Sequence, residues 1–348
     1  MDTQKIIYAI QDLAKGNPTD QNISDLLYRH RCLYLLSQTT DPTYKNKTLS
    51  QQALNKIAIK ERYNACKELF EQISFPYAVI KGAVLSQSIY DSPFYRESGD
   101  IDIIVSRENI DVLKKALKSL GFIQGRVTDN GIVPFNRNEL IFQTTATHQI
   151  APFIKQTSNP LCPFINLDVN MDIMWGESDT KSDMNYVLSY TEQAMMFDVP
   201  FTRLSSEMEF ISLCLHHYKD MNSIYLLSSR GLRLEHFCDI YFYLKNVRPN
   251  AQKILEICKH LKVGKYVCVC LCHTNQIFED PLLLNYIEAL SSEEDPILFD
   301  TFGLNEKELK KWEFPLPERL FHPDLPQYLN SILSEYEKEK VRLNRMYM

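Results

Sequence analysis

Glycine is scarce in this 348-residue chain: 10 residues, under 3%, against an average of about 7%. No GxGxxG occurs, and the one Gly-Lys pair, Gly264-Lys265, lacks the upstream glycine and the Ser/Thr of a phosphate loop. Dinucleotide-binding and Walker-type loops are therefore excluded. The nine cysteines include no Cys-x-x-Cys spacing, are odd in number and sit mostly in apolar helical-looking runs, as small buried hydrophobes do in a reducing compartment. A basic excess is also missing: 38 Lys and Arg against 44 Asp and Glu give a net charge of −6, so nucleic acid is not a favoured partner. The longest unbroken apolar run, Tyr266 to Cys272, spans seven residues, far below the roughly 20 of a membrane span. The first residues, Met1-Asp-Thr-Gln-Lys5, show no signal-peptide pattern. A soluble, cytoplasmic protein without a membrane partner is expected.

What is present is the composition of a folded protein, 45% hydrophobic and 11% aromatic, in a length that suits two or three domains. Helical apolar stripes run through residues 1–75: Ile6, Ile7, Ile10, Leu13 and Ala14; then Leu26, Leu27, Leu33, Leu35 and Leu36 after Asp20 or Ser24 as N-caps; then Ala53, Ile57, Ile59, Leu69, Phe70 and Ile73. Pro76 ends this region. The texture changes over 76–180. Ala78-Val79-Ile80 and Ile101 to Val105 read as short strands, and Ser106 caps a helix on Ile110, Leu113, Leu117 and Leu120 that Gly121 closes. Residues 132–135 and 140–144 read as extended runs around an Asn136-Arg137-Asn138 turn. Residues 165–175 (INLDVNMDIMW) alternate like a half-buried strand. From 181 to 348 the pattern is helical again, starting from a Ser206/Glu209 capping box. Helices are expected at 231–245, 252–261, 265–278 and 283–291, a mostly non-helical proline-rich crossing at 312–326, and a polar helix at 327–345. The fold class is α+β, with a core at 76–180 between an N-terminal helical region (1–75) and a C-terminal helical domain (181–348).

The chemistry concentrates between Ile80 and Val105. Alternation puts Asp100 and Asp102 on one face of a strand, where two carboxylates repel unless cations lie between them. A divalent metal is the simplest compensation, and Mg²⁺ suits a partial carboxylate set completed by water and phosphate. Lys81-Gly82-Ala83 ends one strand and opens a helix, where small residues and free N–H groups suit a phosphate. Arg96, four residues before Asp100, could reach a triphosphate or orient a carboxylate. A two-metal site needs a third carboxylate from a neighbouring strand, and Asp172 and Asp168 both fit the alternation of 165–175.

These residues resemble the DNA polymerase beta-like nucleotidyltransferase superfamily, and more closely the bacterial uncharacterised nucleotidyltransferase family. The resemblance rests on Lys81-Gly82, Leu85, Tyr90, Arg96, Asp100-Ile-Asp102-Ile-Ile-Val105, Gly121-Phe122, Asp172-Ile-Met-Trp175, Arg233-Leu234 and Asp239, over about residues 20–245. Ala83 stands where many members have Ser, and Met174 where close relatives often have His. The resemblance implies a nucleotidyltransferase-fold core and favours Asp172 over Asp168. It further implies that Asp100, Asp102 and Asp172 are catalytic and hold two Mg²⁺ ions, with Mn²⁺ an alternative. Lys81, Gly82, Ala83 and Arg96 would bind an NTP, ATP favoured. The product would be an NMP placed on a hydroxyl or phosphate of a small-molecule, peptide or protein acceptor.

Two other readings use the same residues: a glycosyltransferase whose DxD holds a metal–nucleotide-sugar, which the helical character of 1–74 disfavours, and a catalytically inactive nucleotide-binding module. Among the remaining candidates, His216 and His217 near Asp220 favour core packing over metal, as do Cys268, Cys270, Cys272 and His273 at i, i+2, i+4 spacing. Arg233 and Asp239 lie about 240° apart around a helix and must reach other elements, with a structural role favoured. His148 follows a strand-like segment and could face the cleft.

Overall fold

The computed structural model describes residues 2–17, 19, 22–146, 149–176 and 178–347, so the candidate cap Asp20 and His148 lie outside the described residues. The architecture is α+β. The chain forms two compact units: a sheet unit, Leu49–Glu209, and a helical unit assembled from both ends, 1–48 with 210–348. Among the described residues no helix is long and apolar enough to cross a membrane. All nine cysteines are free thiols, eight of them buried.

Three short helices open the chain, α1 (Thr3–Ala14), α2 (Ser24–Arg29) and α3 (Leu33–Ser37), before the 31-residue α4 (Pro42–Gln72). The sheet unit continues with β1 (Tyr77–Ile80), α5 (Gly82–Tyr90), β2 (Asp100–Val105), α6 (Ile110–Ser119), β3 (Ile123–Thr128), β4 (Gly131–Pro134), α7 (Arg137–Ala146), β5 (Phe153–Gln156) and β6 (Phe164–Asn170). It closes with α8 (Met184–Ser189), β7 (Thr191–Met196) and β8 (Val199–Leu204). The eight strands form one mixed sheet in the order β4-β3-β5-β6-β2-β1-β8-β7, with β2–β6 and β1–β8 parallel. The sheet unit also holds residues 49–72 of α4 and the β7–β8 hairpin, on either side of 76–180.

Period-2 alternation gives this sheet two different faces. Tyr77 and Val79 of β1, Ile101, Ile103 and Val105 of β2, and Ile165, Leu167 and Val169 of β6 form one buried cluster. Ile59, Tyr63, Cys66, Leu69 and Phe70 cover it from α4, and Ile110, Leu113 and Leu117 from α6. Gly121 (φ +83) ends α6 in a Schellman motif: its N–H bonds Lys118 O at 3.1 Å, and Phe122 N–H bonds Leu117 O at 3.0 Å.

The helical unit continues with α9 (Ser206–Asn222), α10 (Ile224–Arg230), α11 (Leu234–Asn246), α12 (Ala251–Leu261), α13 (Gly264–Phe278) and α14 (Pro281–Leu290). Its last helices are α15 (Leu316–Leu320), α16 (Leu325–Ile332) and α17 (Glu335–Tyr347).

Four local expectations are corrected. Residues 140–144 are helical, because Asn136 and Glu139 form a capping box: Asn136 Oδ1 accepts from Asn138 N and Glu139 N, and Glu139 Oε2 accepts from Asn136 N at 2.7 Å. The hairpin lies one element earlier, between β3 and β4. The strand expected over 165–175 stops at Asn170, where Asp172 Oδ1 accepts from Met174 N at 2.9 Å and turns the chain. The 312–326 crossing contains α15, since Pro317 sits in the first turn, where no amide donor is required. The helix expected at 327–345 is two helices, α17 restarting on a Ser334/Glu337 capping box.

Leu117 is fully buried on α6, whereas Val112 on the same helix is 56% exposed. Leu117→Ala is expected to cost about 2–5 kcal/mol in chemical denaturation, and Val112→Ala no more than about 0.5 kcal/mol.

Candidate active site

The site begins where β1 runs out. Its four residues are buried, and the chain then takes two successive positive φ angles, +59 at Lys81 and +48 at Gly82. Lys81 has ψ −157, a region costing on the order of 1–3 kcal/mol for a residue with a side chain. Gly82 meets the need by having no Cβ, since one built there would stand 2.7 Å from Ser98 Oγ. That hydroxyl donates to the Asp100 carbonyl at 2.8 Å, so α5 is pressed against the entry to β2. Lys81 precedes α5 without capping it; its Nζ instead lies 3.0 Å from Asp102 Oδ1, the two side chains being 16% and 9% exposed.

The second half of the site comes from strand register. In the parallel β2–β6 pair Asp100 lies opposite Asn166, Asp102 opposite Asp168 and Ile104 opposite Asn170. Paired residues share a sheet face, so Asp100, Asp102 and Asp168 stand together on the face turned away from the apolar cluster. Asn170 Nδ2 donates to Asp102 Oδ1 at 3.1 Å and to Ile103 O at 3.3 Å. Asn166 Oδ1, in register with Asp100, is buried without a hydrogen-bond partner.

Among the sequence candidates, Lys81, Gly82, Asp100 and Asp102 line one crevice with Ala83, and β6 adds Asp168. Asp172 is placed beyond the end of β6, buried, with its carboxylate accepting from Met174 N and from Ser182 N at 3.3 Å. Arg96 lies in the 91–99 loop, and Asn55 Nδ2 donates to its carbonyl at 3.4 Å. The sequence reading missed Arg62 of α4, which lines the same crevice; its Nη1 donates to the Ser98 carbonyl. No local pattern marks Arg62, whereas Asn166, Asp168 and Asn170 form a readable i, i+2, i+4 polar row.

Residues 19–279, three quarters of the chain, match a family described as uncharacterised nucleotidyltransferase. The chain belongs to this family. Every residue of the carboxylate site falls within the matched span, and membership supports nucleotidyl transfer as the general role, with a nucleoside triphosphate as substrate. Compared with curated proteins, the chain finds no match.

Electrostatics suit a nucleotidyltransferase that gathers negative charge. Burial first, then Asp102 and Asp100, push Asp168 up to about 7. Burial and Asp102 push Asp100 up to about 6, with Lys81 and Arg62 pulling the other way. Burial alone would depress the Lys81 ammonium, but Asp102, with Asp100 and Asp168 behind it, holds it above the ordinary lysine value. The donors are all hard oxygens, and a buried acceptor is unused at Asn166, which fits Mg²⁺ in kind. Among the described residues no three His, Cys, Asp or Glu side chains already form a metal cage, and Asp102 Oδ1 is engaged by Lys81 and Asn170.

The helical unit holds a separate network. His217 Nε2 donates to Asp239 Oδ2 at 3.0 Å, both side chains fully buried, while Asp220 lies 3.8 Å from both His216 and His236. His217 thus pairs with Asp239 across helices, while Asp220 faces His216 on its own helix and His236 on α11.

The raised Asp100 and Asp168 values fix a sign. A carboxyl titrating higher folded than unfolded binds more protons in the native state, so its penalty is absent below about pH 4 and complete above about pH 7. In EDTA, Asp168→Asn is expected to raise stability at pH 8 by on the order of 1–3 kcal/mol and to change it little at pH 4.5. Equal effects at both pH values in thermal denaturation would contradict the crowding described here.

Proposed function

We propose that the chain transfers a nucleoside monophosphate from an NTP, ATP favoured, to a hydroxyl or phosphate of a small-molecule, peptide or protein acceptor, releasing pyrophosphate. The observation that carries this reading is the β2–β6 register, which sets Asp168 beside Asp102 on the face that also carries Asp100. Asp100, Asp102 and Asp168 would hold two Mg²⁺ ions, or Mn²⁺. Bound there, the metal supplies positive charge against the phosphates and makes an acceptor hydroxyl more acidic.

The chain's own groups account for the rest. The first intrahelical bond of α5 runs from Leu85 N to Lys81 O at 3.1 Å, so the Gly82 and Ala83 N–H groups precede the ladder and can meet phosphate oxygens. Lys81, already ordered at the site, stabilises charge that grows on the departing pyrophosphate, and Arg62 adds a second cation beside Asp100. Arg96 is proposed to bear on the outer triphosphate. Asp168, on the face shared with Asp100 and Asp102, is placed to take the acceptor proton as oxygen attacks the α-phosphorus in line and the bond to the bridging oxygen breaks.

The test is incubation with Mg²⁺ and each α-labelled NTP in the presence of cell extract, scoring pyrophosphate release and label transfer. Asp102→Asn and Asp168→Asn are each expected to lower turnover at least about 100-fold. Asp172→Asn, altering a carboxylate engaged by backbone amides, is expected to lower stability and to cost turnover less than about tenfold. Full activity in Asp102→Asn, or a larger loss in Asp172→Asn than in Asp168→Asn, would refute the assignment.

Lys81→Gly separates strain from function. Lys81→Gly and Lys81→Ala both remove the ammonium beside Asp102, but only glycine accepts φ +59 without penalty, so Lys81→Gly is expected to be the more stable of the two by on the order of 1 kcal/mol, while turnover falls at least about tenfold in both. Denaturation and steady-state kinetics on the same preparation check both.

A further inference from the structure

The helical unit contains a cleft of about 660 Å³ within the size range of small-molecule sites. All its lining residues belong to the 1–48 and 210–348 segments, so it shares none with the carboxylate site. Its charge is unusual: Arg29, Arg230, Arg233 and Arg319 all line it, with Asp25 and Asp324 the only carboxylates among its lining residues. Asp25 is spent on Arg29 at 2.9 Å. Asp324 caps α16, accepting from Gln327 N at 3.2 Å. Among the described residues no carboxylate pairs with the guanidinium of Arg230, Arg233 or Arg319.

Two details show that these cations stand there at a cost. Arg319 is only 4% exposed, and its Nε is buried without a hydrogen-bond partner. An unsatisfied buried donor of that kind costs about 1–3 kcal/mol unless a ligand meets it. The arginines also crowd one another: burial, then Arg31 and Arg230, depress Arg233 below the ordinary arginine range. The backbone enforces the crowding, since Gly231 at φ +65 ends α10 and turns the chain between Arg230 and Arg233.

We propose that this cleft binds the phosphate group of a small phosphorylated molecule. Planar guanidinium forks match phosphate oxygens two at a time. Arg230, Arg233 and Arg319, none paired with a carboxylate among the described residues although Arg319 lies over the Trp312 ring at 4.8 Å, suit a group with more than one negative charge. Ile6, Leu26, Leu232 and Phe321 offer apolar wall to the organic part of such a ligand. His30 is a fixed neutral donor: its Nδ1 accepts from Leu234 N at 3.0 Å, and burial with Arg29 and Arg233 lowers it to about 4. The inference does not depend on nucleotidyl transfer.

Isothermal titration of the full chain in EDTA, with inorganic pyrophosphate and with glycerol 3-phosphate, tests it. Saturable binding near one per chain is expected for both probes, and none for glycerol. Arg230→Gln and Arg233→Gln should each weaken binding at least tenfold, while Asp102→Asn leaves it unchanged. Arg230 is exposed, so its replacement tests binding without endangering the fold. No saturable heat, indifference to both arginine variants, loss in Asp102→Asn, or citrate binding as tightly as the phosphates would overturn the proposal.

Discussion

Like charge crowded on one polar sheet face is the constraint around which the sheet unit is arranged. Asp100, Asp102 and Asp168 occupy neighbouring positions of two parallel strands and disfavour one another's ionisation. The ammonium of Lys81, 3.0 Å from Asp102, is the main local compensation. It is delivered there from the strained turn after β1, where Lys81 takes φ +59 immediately before α5. Strain of that kind persists where the surroundings over-determine it. Here buried β1 on one side and the Ser98 contact against Gly82 on the other do so.

The opposite face explains how such crowding survives folding. Every residue that alternates with the acids on β2 and β6 is apolar and buried, and α4 and α6 close over them. The apolar cluster fixes the register, and the register fixes which acids meet, since a slip of one residue would exchange the two faces. The polar face inherits its geometry from the packing of the other. Arg62 and Asn55 arrive by the same route: α4 docks through Ile59, Tyr63, Cys66 and Leu69, and its remaining residues reach the 91–99 loop.

This division marks how far the sequence could be read. Strands at Tyr77–Ile80 and Asp100–Val105, the Gly121 helix stop and the Lys81-Gly82 turn all rest on local patterns, and local patterns are written in neighbouring residues. The pairing of β2 with β6 was not local, so alternation alone left Asp168 and Asp172 equivalent. What separates them is the short-range turn made by the Asp172 side chain, which ends the strand between them. The Asn136-x-x-Glu139 box overlaps the turn-forming Asn136-Arg137-Asn138, the same side-chain chemistry serving either outcome. Arg62 sits on a long helix rich in lysines, and nothing in the adjacent sequence sets it apart from those other cations.

The scarcity of glycine adds a last piece. With only 10 in the chain, each positive-φ glycine at a helix end marks a place where backbone direction matters. Gly82 follows Lys81 at the start of α5, and Gly231 separates Arg230 from Arg233 at the end of α10. In both units the turn does the same physical work: it stops regular structure so abruptly that a cation beside it is held close to other charges rather than released to solvent. At Lys81 those charges are carboxylates and the turn relieves repulsion. At Arg233, after burial, the larger influences are Arg31 and Arg230, ahead of the opposing Glu235 and Asp220, and the turn creates repulsion that a fold retains at a cost in stability unless an anion balances it.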